Sequence, residues 1–274
     1  MKNKNRVIID INEQGIAYVT LNRPNKGNAL DMPMFDAICS TIKKLKRDKR
    51  VRVVIVRGCG DNFCTGLDIK SVLNSSTNGL KLLAKWSPFR ANKAQYVSTG
   101  WRDIPAPVIC VIQGICWGGG LQIAAGADFR IATPDANLSV MEAKWGLIPD
   151  MGGSLPLREL VSKDVALELA MTARQITGEE AKAQGLVTHV SEQPMEHAQQ
   201  LAQELINRSP DALAAVKKLY QKSWWSSPGM ALFRESYYQI KVLFGKNQRI
   251  AVKREMQGDD QSQTKKPYIK RKFS

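Results

Sequence analysis

The sequence of 274 residues predicts an α/β protein in which buried parallel strands alternate with helices, followed by a helical part. Three short, largely apolar runs, Val51–Arg57, Pro107–Gln113 and Asp128–Ala132, are typical of buried strands. Stretches of helical or loop composition separate these runs, and past residue 150 the pattern becomes helical. With 43% hydrophobic residues, the chain has enough apolar side chains for such a core.

The elements before residue 60 are predicted to be a hairpin, a helix and the first buried strand. Arg6–Asn12 and Gly15–Leu21 alternate around a turn-like Glu-Gln-Gly, which is typical of a hairpin. Asp31–Leu45 has apolar residues at helical spacing, with lysines facing away from them. Val51–Arg57 then supplies the strand.

Glycines and capping residues mark the later elements. After Cys64–Asp68 the chain lacks strand signals as far as Trp101, so helix or loop is expected there. Gly118–Gly120 follow the strand Pro107–Gln113 directly and open an apolar helix to about Ala127. Helices are also predicted to start at Thr177 and Ser209, and near Met230–Phe244. We divide the chain into a core of residues 1–205 and a C-terminal helical region of residues 206–274 with a basic tail.

The cysteine pattern and the apolar runs indicate a cytoplasmic protein. No apolar run approaches the ~20 residues of a bilayer span, and no signal peptide is visible. An odd number of cysteines without a Cys-x-x-Cys pair is typical of a reducing compartment and gives no structural zinc site. The cysteines are Cys39, Cys59, Cys64, Cys110 and Cys116.

The net charge of +15 is concentrated in two patches. Lys43–Arg57 carries eight basic residues and one acid, and Lys246–Ser274 carries nine and three. Two interpretations stay open for each patch: a solvated surface, or contact with an anion such as a phosphate-bearing ligand or RNA. Aromatic residues do not interleave with the first patch, which disfavours stacking on bases.

Several common catalytic motifs are absent, so any catalysis is expected to depend on carboxylates and backbone dipoles. The dinucleotide-binding glycine pattern, the phosphate loop and the nucleophile elbow are all absent. The two histidines, His189 and His197, are predicted to be structural or solvated, so hydrolysis by a Ser-His-acid triad and histidine-rich metal catalysis are poorly supported.

Two turn segments have the same predicted arrangement, a strand followed by a turn with exposed backbone N–H groups. Asp61–Asp68 and Trp117–Gly120 each follow a strand and expose backbone N–H groups, and a helix begins after the second. If the two turns meet in space, their N–H groups form an oxyanion hole. Close packing of a helix on a sheet is the alternative explanation of the glycines.

These segments, with others in the same order, resemble the enoyl-CoA hydratase/isomerase (crotonase) family. The likeness covers residues 6–225, and the tail Lys265–Phe273 is similar to the basic end of family members. The matching segments are Leu21–Leu30, Phe63–Ile69, Pro105–Gly114, Trp117–Gln122, Ala127–Arg130, Met141–Glu142 and Gly146–Gly153. The resemblance implies a spiral of ββα units with a C-terminal helical region, assembled as a homo-trimer or a dimer of trimers.

Carried over by position, the resemblance implies that the N–H groups of Thr65 and Gly119 form the oxyanion hole for a thioester carbonyl. Glu142, Asp150 and Gln122 complete the implied catalytic set. The residues implied to line the coenzyme A groove are Lys26, Asn28, Ala29, Gly66, Leu67, Asp68, Ile69 and Gly118. Coenzyme A enters as part of the substrate, so no separate cofactor is implied.

One departure from the family pattern bears on the reaction. Hydratases of the family carry a glutamate where this chain has Gln122, and an amide cannot accept a proton as a base. A second family glutamate matches Glu142, and Asp150 matches an aspartate of dienoyl-CoA isomerases. We therefore expect double-bond isomerisation more than hydration. Glu142 as a surface acid and Asp150 as a turn residue remain alternatives.

Three other functions stay open. The first is an enoyl-CoA hydratase proper, and the second is a non-catalytic acyl-CoA binder. The third is an RNA-binding protein of the same fold, since one family member binds RNA through a lysine-bearing helix and Lys43–Arg50 occupies a similar place. A membrane partner is not expected.

Overall fold

Two sheets organise the computed structural model, which describes residues 5–73, 76–257 and 266–273. The polar segment after residue 258 and Lys265 of the predicted tail lie outside the described residues. The strands are β1 Val7–Ile11, β2 Ile16–Leu21, β3 Val53–Gly58, β4 Val108–Ile112, β5 Ile115–Trp117, β6 Phe129–Ala132, β7 Asn137–Ser139 and β8 His189–Val190.

The larger sheet has the strand order β1-β2-β3-β4-β6-β8, and the smaller one pairs β5 with β7. β1 and β2 form the predicted antiparallel hairpin, whereas all other neighbours run parallel. Strand β4 lies in the large sheet and the next strand, β5, lies in the small one. The same alternation is repeated by β6 and β7. The α/β class predicted from the sequence is confirmed.

Helices surround the large sheet and dominate the second half of the described chain. They are α1 Met32–Arg47, α2 Ile69–Leu73, α3 Ser76–Leu83, α4 Lys93–Thr99, α5 Gly119–Ala125, α6 Ser154–Leu160, α7 Lys163–Thr172, α8 Gly178–Ala183, α9 Pro194–Ile206, α10 Pro210–Ser223, α11 Pro228–Leu243 and α12 Lys246–Met256. None in the described ranges is long and apolar enough to cross a membrane.

Both faces of the large sheet are buried, which explains the lack of polar alternation in its central strands. Val54 and Val56 of β3 belong to the cluster that includes the apolar face of α1, while Val53 and Ile55 face the side covered by α9. Burial of this kind contributes about 25 cal/mol per Å² of apolar surface. The strands therefore form a fixed platform for the loops at their carboxyl ends.

The basic tail is bound to its own chain. Arg271 is buried and donates hydrogen bonds to the carbonyls of Val51 and Asp48. The buried carboxylate of Asp211 accepts the backbone N–H groups of Lys272, at 2.6 Å, and Phe273, at 2.8 Å. The excess of charge at this end thus includes a structural arginine, in addition to solvated lysines.

Candidate active site

A parallel bridge between Cys64 and Cys116 brings the two predicted turns together. Cys64 N–H donates to Ile115 O, and Trp117 N–H donates to Cys64 O, each at 3.0 Å. A Cβ on Gly66 would lie 2.9 Å from Trp117 O, so the contact requires glycine. The segments after each bridge residue consequently lie side by side.

The N–H of Leu67 faces away from its strand partner. Leu30 N–H donates to Gly66 O at 2.8 Å, and Asp68 N–H donates to Leu30 O at 3.0 Å. Successive N–H groups of an extended chain point to opposite sides, so that of Leu67 points to the side opposite Leu30. Among the described residues it has no hydrogen-bond acceptor, and the same holds for Gly119 N–H at the start of α5.

The prediction that Thr65 supplies an oxyanion donor is wrong. Its N–H donates to Gly27 O at 2.9 Å, and its hydroxyl reaches Lys26 O at 3.4 Å. Leu67, which was predicted to line the coenzyme A groove, carries the free N–H instead. The alternation of N–H directions after Gly66 identifies Leu67 as the donor. This alternation can be used only once Leu30 is known to be the strand partner.

The paired turns open onto a cavity of about 290 Å³. Most of the predicted catalytic residues reach it, together with two tryptophans and five long apolar side chains. The lining residues are Thr65, Gly66, Leu67, Ile69, Trp117, Gly118, Gly119, Met141, Glu142, Lys144, Trp145, Leu147, Asp150, Met151 and Gln175. Polar donors and carboxylates therefore meet an apolar wall, as in small-molecule sites.

Gln122 lies behind Glu142 and not on the cavity wall, although it was predicted to be catalytic. The amide is 2% exposed, and its Nε2 donates to Glu142 Oε1 at 2.6 Å. Gly153 N–H donates to Gln122 Oε1 at 2.9 Å. Because a backbone N–H can only donate, it fixes which end of the amide faces the carboxylate.

Glu142 combines burial with one uncommitted oxygen. Its Oε2 is buried and has no hydrogen-bond partner in the described structure. Burial raises the pKa of Glu142, hydrogen bonds from its own backbone N–H and Gln122 oppose that rise, and the charge of Asp150 adds to it. The net pKa is higher than usual, which brings the carboxylate closer to a neutral working range for proton transfer.

Asp150 lies at the exposed side of the same cavity. Partial burial raises the pKa of its carboxyl, while a bond from its own backbone N–H opposes the rise. The charge of Asp150 acts on Glu142, and the cavity holds two acids with raised pKa values. Such pairs are characteristic of functional sites.

Two residues predicted for the coenzyme A groove have structural roles. Asn28 is completely buried with a φ of +56°, and its Nδ2 donates to the carbonyls of Cys59 and Asn62. Asp68 forms a 2.7 Å ion pair with Arg23. Burial raises the pKa of Asp68, but Arg23 and a backbone N–H outweigh this, and the net pKa is lowered. The prediction that Asn28 lines the groove is wrong.

Of the four remaining groove candidates, two line the cavity and two do not. Lys26 is exposed at the end of the 3-10 turn Pro24–Lys26. Ala29 is half-buried and accepts a hydrogen bond from Arg23 on its carbonyl. Ile69 and Gly118 line the cavity itself. In the described ranges, no group of three or more His, Cys, Asp or Glu side chains is arranged to hold a metal ion.

Comparison with known proteins gives a consistent set of relatives. A family model described as enoyl-CoA hydratase/isomerase matches residues 11–243. Carnitinyl-CoA dehydratase of Salmonella enteritidis is 34% identical over 215 residues, which is 75% of this chain and 77% of the relative. Carnitinyl-CoA dehydratase of Salmonella typhi has the same identity and coverage.

Solved structures agree in fold. An enoyl-CoA hydratase of Mycobacterium smegmatis matches with a TM-score of 0.83 and 25% identity over 92% of this chain and 96% of its own. An enoyl-CoA hydratase of Bacillus anthracis has the same score and identity over 96% and 98%. The fold expected from the resemblance, a spiral of ββα units, is confirmed.

Proposed function

Because the chain belongs to the enoyl-CoA hydratase/isomerase family, whose enzymes act on CoA thioesters, we propose that it isomerises the double bond of an enoyl- or dienoyl-CoA. Glu142 is the group that moves the proton. The observation that supports this most strongly is the hydrogen bond from Gln122 to Glu142 Oε1, because it puts a neutral amide against Glu142 where the family's hydratases carry a second glutamate.

The number of carboxylates separates the two reactions of the family. Hydration requires a base for water and an acid for the α-carbon, whereas isomerisation removes one proton and returns it elsewhere. The Gln122 amide has no proton-accepting state near neutral pH, and Gly153 N–H fixes its orientation. Glu142 alone is sufficient for isomerisation, whereas the glutamate that the family's hydratases carry at position 122 is missing.

The proposed reaction proceeds through an enolate. Glu142 Oε2 takes a proton from the acyl chain, the electrons move to the thioester oxygen, and the same acid returns the proton at the other end of the shifted double bond. The N–H groups of Leu67 and Gly119 hold the negative oxygen. A Cβ on Gly118 would lie 3.2 Å from Glu142 Oε1, which supports a carboxylate adjacent to these donors. One such donor is worth about 10²–10³ in rate.

Asp150 extends the proposal to conjugated substrates. In a dienoyl-CoA the proton is returned farther along the chain, so a second acid on the cavity wall shortens its path. Partial burial raises the pKa of Asp150, which moves this acid in the direction that favours proton transfer. Trp117, Trp145 and Leu147 supply apolar contact for the chain.

Coenzyme A contacts are proposed for the open side of the cavity. Gly66, Leu67 and Ile69 offer backbone and apolar contact, and the exposed ammonium of Lys26 offers a charge for the phosphates. The coenzyme enters as part of the substrate, so no separate cofactor is proposed.

Hydration is the second candidate, because the relatives are named dehydratase and hydratase. The test is a panel of 2-enoyl-, 3-enoyl- and dienoyl-CoA thioesters with products identified by mass spectrometry. Isomerised products should exceed hydrated ones for wild type, and Glu142→Gln should abolish both. Dominant hydration would make the protein a hydratase, and binding of the thioesters without turnover would make it a silent acyl-CoA binder.

RNA binding receives less support from the basic patch. Lys46 is paired with Asp103 at 3.1 Å, and Arg50 with Asp48 at 2.8 Å, so part of the charge in Lys43–Arg50 is already engaged. If the patch binds RNA, affinity should fall by about 0.7 log units per log unit of salt for each phosphate contact. Neutralising Lys43 and Lys44 should then abolish binding without changing thioester turnover.

Assembly into a homo-oligomer, a trimer or a dimer of trimers, is proposed for residues 206–274. No residue of α11 is buried, and large apolar side chains such as Leu232, Phe233 and Ile240 are exposed on it. Exposed apolar surface of this extent marks protein contacts. Light scattering should give a mass above that of one chain, and Leu232→Glu should lower it.

A further inference from the structure

A second cavity, which no proposed role uses, lies between α4, α6 and α10. It measures about 900 Å³, against about 290 Å³ for the thioester cavity, and the two share no lining residue. Among the described residues, six basic side chains and one acidic side chain line it. They are Lys46, Arg90, Arg102, Lys217, Lys218, Lys222 and Asp103.

The basic residues of α10 form one face of the helix. Ala214, Lys217, Lys218, Gln221 and Lys222 lie three or four positions apart, so they point to the same side, and all five line the cavity. A helix face turned toward the body of a protein is normally apolar. Positive charge on this face is unfavourable unless acidic side chains or an anionic ligand balance it, so the cations without an acidic partner are the ones that argue for a ligand.

One of the cations that line the cavity has a structural role. The buried ammonium of Lys217 pairs with Asp128 at 2.6 Å and donates to the carbonyls of Trp101 and Ala106, both at 3.1 Å. These three acceptors use all of its hydrogens. Lys217 therefore fastens α10 to the core.

Other cations differ in how they are balanced. Lys46 pairs with Asp103 at 3.1 Å, and Arg102 pairs with Glu159 at 2.8 Å. Of the remaining three, Lys218 lies over the rings of Tyr238 and Phe273. Arg90 and Lys222 are exposed toward the cavity and form no ion pair with a described residue. Arg90 precedes α4 and Lys222 lies on α10, so the two cations come from different walls of the cavity.

Aromatic side chains border the same space. Phe89 is 98% exposed and precedes Arg90 directly, while Tyr96 and Phe273 line other parts of the wall. An exposed ring beside unpaired cations suits a ligand that carries both a planar ring and phosphates. The volume accommodates a small molecule of this kind.

We propose that this cavity binds a small anion with a polyphosphate group, held between Arg90 and Lys222 and separate from the thioester site. The shared chemistry is the polyphosphate, whether free or part of a nucleotide. The cavity is bounded by α6, α10 and the tail, which favours a compact ligand over a nucleic-acid strand.

The test is calorimetric titration of the full chain with tripolyphosphate and, separately, with ATP, at low salt. The variant Arg90→Gln/Lys222→Gln should bind at least tenfold more weakly, which corresponds to 1.4 kcal/mol or more. The control Lys163→Gln/Lys246→Gln removes the same two charges at exposed helix starts and should bind as wild type. Tighter binding of ATP would identify a nucleotide as the source of the phosphates, and equal binding a free polyphosphate.

Independence from the thioester cavity is measured in the same samples. The Arg90→Gln/Lys222→Gln variant should keep the melting-temperature rise that acetoacetyl-CoA gives to wild type. The proposal is overturned if neither anion binds at millimolar concentration, or if the control double variant loses as much affinity as the cavity variant. Binding of single-stranded RNA without either small anion would also overturn it.

Discussion

The Gln122 amide donates a 2.6 Å hydrogen bond to Glu142 Oε1, and Gly153 N–H holds the other end of that amide at 2.9 Å. This pair of bonds orients the carboxylate while leaving its second oxygen uncommitted. Gln122 thus acts on the reaction through Glu142, as a positioning residue. The proposed preference for isomerisation depends on this arrangement.

Gln122→Glu should raise hydration of crotonyl-CoA by about tenfold or more, because it adds the second carboxylate that hydration requires. Two carboxyl groups at this distance share one proton, so the variant should also become more dependent on pH. The measurement is hydratase turnover across pH, with Gln122→Ala as the control that removes the amide without adding an acid. If the folded Gln122→Glu protein hydrates crotonyl-CoA no faster than wild type, the missing glutamate at position 122 does not explain a low hydratase activity.

The buried carboxyl of Glu142 should leave a pH signature in stability. Burial, opposed by its two hydrogen bonds and assisted by Asp150, raises the pKa of Glu142 above the ordinary 4.5. Between 4.5 and the raised value the native state binds more protons than the unfolded state, so stability falls as pH rises through this window. Urea unfolding should show Glu142→Gln gaining stability over wild type as pH increases, then levelling off. A difference in stability between the variant and wild type that does not change with pH would indicate that Glu142 is solvated in the native state.

Proline substitution tests whether Leu67 or Thr65 supplies the oxyanion donor. Leu67→Pro removes the free N–H and should lower kcat by about 10²–10³. Thr65→Pro removes the N–H that donates to Gly27 O, so it should chiefly lower the melting temperature. Turnover and thermal unfolding are compared for both variants. If Thr65→Pro keeps wild-type stability but loses turnover, the donor is Thr65 after all.

The elements that the sequence predicted correctly depend on local patterns. Helix α1 follows from apolar spacing and begins at Asp31, whose carboxylate caps Met34 N–H. The three-residue strands β5 and β7 were missed because they are defined by pairing with residues distant in the sequence, such as Ile115 with Asn137. The strand predicted as Pro107–Gln113 is observed as Val108–Ile112, one residue shorter at each end, and Pro107 has no N–H to donate.

The site was predictable in its location and less so in its details. Glycines and carboxylates marked the cavity wall, since both are visible in the sequence. The choice between Thr65 and Leu67 depends on a bridge to Leu30, and the burial of Asn28 depends on carbonyls more than thirty residues away. Non-local hydrogen bonds of this kind have no local signature.

The tail should contribute measurably to stability through Asp211. This carboxylate accepts two backbone N–H groups of the tail and the Asn247 amide, so Asp211→Ala leaves buried donors unpaired and should cost about 2 kcal/mol or more. Chemical unfolding measures the loss. Asp36→Ala removes an exposed ion pair with Lys93 and serves as the control, with a change under about 1 kcal/mol. Equal effects would indicate that the tail is not held as described.

The most direct test of the central claim is proton transfer from a 3-enoyl-CoA followed in deuterated water by mass spectrometry and NMR. Wild type should produce the 2-enoyl-CoA with little hydrated product, and Glu142→Gln should lose about 10²-fold or more of this rate while still binding the thioester. Asp150→Asn, measured beside it, reports whether a second acid takes part. Brisk hydration of crotonyl-CoA by wild type, at a rate unchanged in Glu142→Gln, would contradict the account.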